Sequence, residues 1–160
     1  MSLIKFLSSI LPTETVYAHC DIPCGIYDPH NMQMAAHTVI RMTQLLGKVD
    51  RKDETKAGHD IARMTHVKEE HSSILESEID TLLNDYFKPE HYDKFPNLKG
   101  LAEKTLKSLS KARQGIDMAS AQEALAGTQE IAEIFYKTKD VTPVRVRSVY
   151  PTEGEIILYK

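Results

Sequence analysis

Both cysteines of the chain and one of its seven histidines fall within six residues, in the stretch His19-Cys20-Asp21-Ile22-Pro23-Cys24-Gly25-Ile26-Tyr27. Thiolates and imidazole are metal ligands, so metal chemistry is concentrated here. The preceding Val16-Tyr17-Ala18 has the small-residue character of a peptidase site. Cleavage after Ala18 would make His19 the N-terminus and add a free amine to the cluster.

A cation at that N-terminus meets a preset geometry. The His19 amine and the Cys20 backbone nitrogen close one five-membered chelate ring. That nitrogen, once deprotonated, closes a second with the Cys20 thiolate. Pro23 and Gly25 favour a tight turn over a helix, so Cys24 can bring its sulfur to the open corner. Two nitrogens and two sulfurs in a plane suit Ni(II) or Cu(II), whereas zinc prefers a tetrahedron. The His19 imidazole can reach an axial position. Thiolates and an anionic amide stabilise a higher oxidation state, which opens one-electron Ni(II)/Ni(III) cycling with a small diffusible substrate. Two other readings stay open on the residues alone. The cysteines could form a short-loop disulfide, which gains little stability, or be inert thiols. A four-residue spacing by itself is weak evidence.

The run His19-Cys20-Asp21-Ile22-Pro23-Cys24-Gly25-Ile26-Tyr27-Asp28-Pro29 resembles the nickel hook of nickel-containing superoxide dismutases at every position. Asp85-Tyr86-Phe87-Lys88-Pro89, with His91 and Phe95-Pro96, is similar to that family's middle section. Thr105 to Ser110 and Ile131 to Thr138 resemble its last two helices. The likeness covers residues 19 to 139. It implies dismutation of superoxide to dioxygen and hydrogen peroxide by one nickel ion per subunit. It implies metal ligands at His19 (amine and imidazole), Cys20 (amide and thiolate) and Cys24 (thiolate). Tyr27 would lie at the metal's open face, Tyr86 would hydrogen-bond near it, and Asp21 would help hold the hook's backbone. The family also implies a homohexamer, a leader over residues 1–18 removed by a maturation peptidase, and a cytoplasmic protein. One departure is plain. Where better-known members brace the metal-binding imidazole with a carboxylate and an arginine, ungapped counting finds Ala35 and His71, so the brace is absent or rebuilt with His71. Such a change tunes a metal site without abolishing it.

The chain has 160 residues, enough for one domain with a real core. A formal charge of −3 and the lack of a basic run argue against a nucleic-acid partner. No apolar stretch has the length of a membrane span. Residues 1–18 also mimic a secretory signal peptide, but Lys5 interrupts a short apolar run, and thiolates kept for metal suit a reducing compartment.

The expected fold is all-α, an up-down four-helix bundle over residues 28–139 behind a hook at 19–27. Asp28-Pro29 reads as a helix start, followed by a stripe from Met32 to Leu46. A second helix is expected from Glu54 to Phe87, a third from near Pro96, and a fourth from near Asp117. The methionines at 32, 34, 42 and 64 read as packing. His30, His37 and His59 read as surface residues, and Lys68-Glu69-Glu70 as a solvated face. In the extension 140–160, Val144 to Tyr150 and Glu155 to Tyr159 read as a β-hairpin around Pro151-Thr152-Glu153-Gly154. The rival function is a non-enzymatic metal carrier or thiol module that takes copper or zinc as readily. A structural bundle with a trivial disulfide is a third reading.

Overall fold

The computed structural model describes residues 24–160. Helix α1 (His30–Leu46) starts where Asp28-Pro29 predicts, because the Asp28 carboxylate accepts the His30 N–H at 2.7 Å. Its buried stripe is Met32, Ala35, Ala36, Val39, Ile40 and Leu46. Helix α2 (Glu54–Thr81) is capped by Asp53, whose side chain accepts the Lys56 N–H at 2.9 Å. Helices α3 (Pro89–Lys94), α4 (Leu98–Gln114) and α5 (Met118–Thr138) follow, with Asp117 capping α5. Helix α1 packs along α2 and against α5, and α4 packs along α5, so the four long helices form the expected bundle. At the α4–α5 crossing a Cβ on Gly127 would fall 2.0 Å from Thr105 Oγ1, so only glycine permits that approach.

Helix 2 departs from the expected continuous α-helix. After Thr81 it widens into a π-helical turn, Leu82–Tyr86, closed by the Phe87 N–H on the Leu82 carbonyl at 2.8 Å. The wider turn shifts the helical phase, and the adjacent Tyr86 and Phe87 are both buried. Such turns often mark functional sites. The short α3 occupies what reads in sequence as a link, tied to the π turn by the Tyr92 hydroxyl on the Leu83 carbonyl at 2.8 Å.

Two surface expectations fail for one reason: a helix's own pattern does not show what docks on it. Lys68 is buried, and its ammonium donates to the Ala112 and Gly115 carbonyls at 2.9 and 2.6 Å, closing the C-terminal end of α4. Glu69 pairs with Arg113 across the same gap, while Glu70 is exposed. His37 is also buried, beneath the C-terminal extension. His30 is half-buried and His59 exposed. Met34, expected in the core, is 46% exposed.

The extension forms the antiparallel hairpin β1 (Pro143–Arg147) and β2 (Glu155–Tyr159), with Val144 opposite Leu158 and Val146 opposite Ile156. The first strand stops three residues earlier than its alternation suggests. Ser148 donates instead to the Gly154 carbonyl, and left-handed Glu153 and Gly154 turn the chain. A lone hairpin is barely stable, and this one is held by side chains acting as a third strand. The fully buried Gln33 amide donates to the Ile157 carbonyl at 3.0 Å and accepts the Ile157 N–H at 2.6 Å. Gln129 and His37 both donate to the Glu155 carbonyl, and His37 Nδ1 accepts from the Thr152 hydroxyl. Among the described residues no helix is long and apolar enough to cross a membrane.

Candidate metal centre

Of the expected hook, His19, Cys20 and Asp21 lie outside the described residues, as does the leader 1–18. What is described is the hook's end and the wall it stands against. Cys24 is exposed, and the Ile26 N–H points at its Sγ from 3.5 Å. Gly25 sits in the left-handed region at φ 69° with no atom of the described residues within 4 Å of where a Cβ would be. The turn therefore needs glycine for its backbone angle and not for space. Tyr27 then leaves the turn half-buried, and Asp28 anchors the root on α1. An exposed cysteine on a tight turn with an N–H aimed at its sulfur fits a metal that takes thiolate ligands. Among the described residues no three His, Cys, Asp or Glu side chains gather in a way that would hold a metal.

The wall is aromatic. The Tyr27 and Tyr86 ring centroids are 5.3 Å apart. Tyr86 comes from the π turn, stacks on His91 from α3 at 5.6 Å and meets Phe135 from α5 at 4.7 Å. His91 Nδ1 accepts the Lys88 N–H at 3.1 Å, which places the imidazole proton on Nε2 in the neutral ring. Lys139 Nζ lies 4.7 Å from the Tyr86 centroid, in cation–π range. The Tyr86 hydroxyl meets Thr138 Oγ1 at 2.6 Å. Near the hook's root, burial, then the Asp28 carboxylate and Tyr159, push the Tyr136 phenol up to about 12, so it stays protonated.

The structure brings together Tyr27 and Tyr86, the two tyrosines that the resemblance places near the metal. His71 is half-buried on α2, and its Nδ1 donates to the Val67 carbonyl one turn back at 2.9 Å. Ala35 is buried in the core and offers no carboxylate. Lys139 was not singled out in the sequence, and His91 and Thr138 entered only within segments that resemble the family, with nothing local to show that the three meet at Tyr86.

Comparison with known proteins agrees with this geometry. The family model described as nickel-containing superoxide dismutase matches residues 14–139. The chain is 38% identical over 129 residues to a superoxide dismutase [Ni] of Streptomyces coelicolor, covering 80% of this chain and 93% of that protein. It is 36% identical to the one from Streptomyces seoulensis, with the same coverage. A native nickel superoxide dismutase structure superposes with a TM-score of 0.68 at 35% identity, covering 76% of this chain and 99% of that one. Another, with nickel ligation described as the oxidised state, gives 0.69 at 34% identity. With the hook's end, its tyrosine wall and the bundle in place, the chain belongs to the nickel-containing superoxide dismutase family and is a superoxide dismutase with nickel as its cofactor.

Proposed function

We propose that this chain dismutates superoxide at a nickel ion held by the amine and imidazole of His19, the backbone nitrogen and thiolate of Cys20, and the thiolate of Cys24. The observation that carries the proposal is the exposed Cys24 on its left-handed Gly25 turn, set before the Tyr27–Tyr86 wall. Two superoxide anions and two protons give one dioxygen and one hydrogen peroxide, and bound nickel supplies one-electron exchange between its +2 and +3 states. The chain's own residues do the rest. The Ile26 N–H donates to the Cys24 sulfur and helps fix where it sits on the turn. Tyr27 and ordered water deliver protons at the open face, and the aromatic wall limits access to a small substrate. Exposed Lys88 and Lys139 draw the anion in, an effect that salt weakens.

Residues 1–18 are a leader, and a maturation peptidase cuts before His19, since an amide there cannot replace the amine. Asp21 shapes the hook's backbone, and His71 is the candidate substitute for the missing imidazole brace. One nickel ion per subunit, a homohexamer and a cytoplasmic location complete the reading. Native mass spectrometry on protein purified from its own host, or co-expressed with a candidate peptidase, tests it. A chain beginning at His19 with one nickel and a six-fold assembly supports the proposal. A cleaved chain carrying zinc, or lighter by two hydrogens for a disulfide, would overturn it in favour of a metal carrier or a structural bundle. Dismutation by protein that still carries Met1 would refute the need for cleavage.

A further inference from the structure

The Tyr86 hydroxyl has one described partner, Thr138 Oγ1 at 2.6 Å, and Thr138 has a second, the Phe135 carbonyl at 2.6 Å. A carbonyl only accepts, so the single Thr138 proton is committed to Phe135. The end of the helix explains why. Phe135 sits in the last turn of α5, where carbonyls lose their intrahelical partners. The Lys139 N–H that would serve it in a continuing helix turns to the Tyr136 carbonyl at 3.0 Å. With its own proton spent, Thr138 can only accept from Tyr86, so the phenol must donate. The ring cannot easily turn away, because His91 stacks on it, Phe135 presses against it and the Lys139 ammonium lies over it.

We infer that Thr138 is a positioning residue which takes the Tyr86 hydroxyl proton, so that Tyr86 meets the hook as a hydrogen-bond acceptor and not as a proton donor. The two tyrosines of the wall then have different tasks. Tyr86 can accept a hydrogen bond from water at the open face but has no proton of its own to give there, so the proton that reaches peroxide comes from Tyr27 or water and not from Tyr86. The inference rests on the proposal that Tyr27 and Tyr86 face the metal. It concerns only the direction of one hydrogen bond and names no step at nickel.

The test is the ring-breathing doublet of tyrosine in ultraviolet resonance Raman spectra, whose intensity ratio distinguishes a phenol that donates from one that accepts. Subtracting the spectrum of Tyr86→Phe isolates Tyr86. The expected result is a donor pattern in the parent protein, lost in Thr138→Val and restored in Thr138→Ser. In the nickel-loaded enzyme, Thr138→Val is expected to lower kcat about fivefold with KM unchanged, the scale of one misdirected hydrogen bond, and Thr138→Ser to recover it. An acceptor pattern in the parent, or Thr138→Val with an unaltered doublet or unaltered kcat, would overturn the inference. The doublet is read on the metal-free protein as well. A failure of the hook assignment would leave that spectrum unchanged and is thereby told apart from a failure of this inference.

Discussion

Replacing Gly25 by alanine separates the hook's backbone geometry from every other contribution to metal binding. Gly25 has φ 69°, and a Cβ there would meet no atom of the described residues within 4 Å. The substitution therefore adds no clash and carries only the cost of placing an L-residue in the left-handed region, roughly 1–2 kcal/mol. Residue 25 is exposed and outside the core, so the bundle should unfold at an unchanged temperature. If nickel requires Cys24 on this turn, the whole cost appears in metal affinity, as a weakening of about 5- to 30-fold. The assay is competition for nickel against a chelator of known affinity, with thermal unfolding of the metal-free protein as control. Gly25→Asn is the graded partner, because asparagine visits this region more readily than alanine. Its loss of affinity should be the smaller. Unchanged affinity in Gly25→Ala, or an asparagine variant as weak as the alanine one, would refute the argument that this turn presents Cys24 to the metal.

Gln33→Leu should undock the hairpin, because it strands the buried Ile157 N–H and carbonyl at about 1–3 kcal/mol each. Hydrogen exchange at Ile157 should accelerate while the amides of α4 and α5 keep their protection. Lys68→Met should lower stability by about 1–3 kcal/mol, since the Ala112 and Gly115 carbonyls lose their donor. A thermal midpoint equal to the parent's would contradict that role. Burial holds the His37 imidazole below its ordinary range, against the opposite pull of the Glu155 carbonyl. As pH falls the unfolded chain takes up that proton first. The stability contribution is thus fully present above roughly pH 6.5 and is lost as pH drops through the lower folded value. Thermal midpoints followed between about pH 8 and about pH 5 should fall less in His37→Gln than in the parent.

The hook motif stands out in the sequence because the chemistry proposed for it is local. Two chelate rings need only adjacent residues, a tight turn needs only Pro23 and Gly25, and the agreement with a known family runs through every position. The helix starts were legible for the same reason, since Asp28, Asp53 and Asp117 all hydrogen-bond a backbone N–H two or three residues on. Tyr86 and Tyr27 could be named in advance, but not what holds Tyr86 in place. That depends on the π turn, which re-phases the end of helix 2, and on Thr138 and Lys139 arriving from another helix. Lys68 and His37 look like surface residues because each belongs to a helix whose own pattern carries no trace of its neighbours. One turns out to close the end of α4 and the other to lie beneath the hairpin. Sequence alone determined the Gly25 turn and the helix caps, because each acts over a few residues. Tertiary structure alone decided which polar groups are buried, because those depend on partners 44 to 124 residues away, among them Lys68 with Ala112 and Gln33 with Ile157.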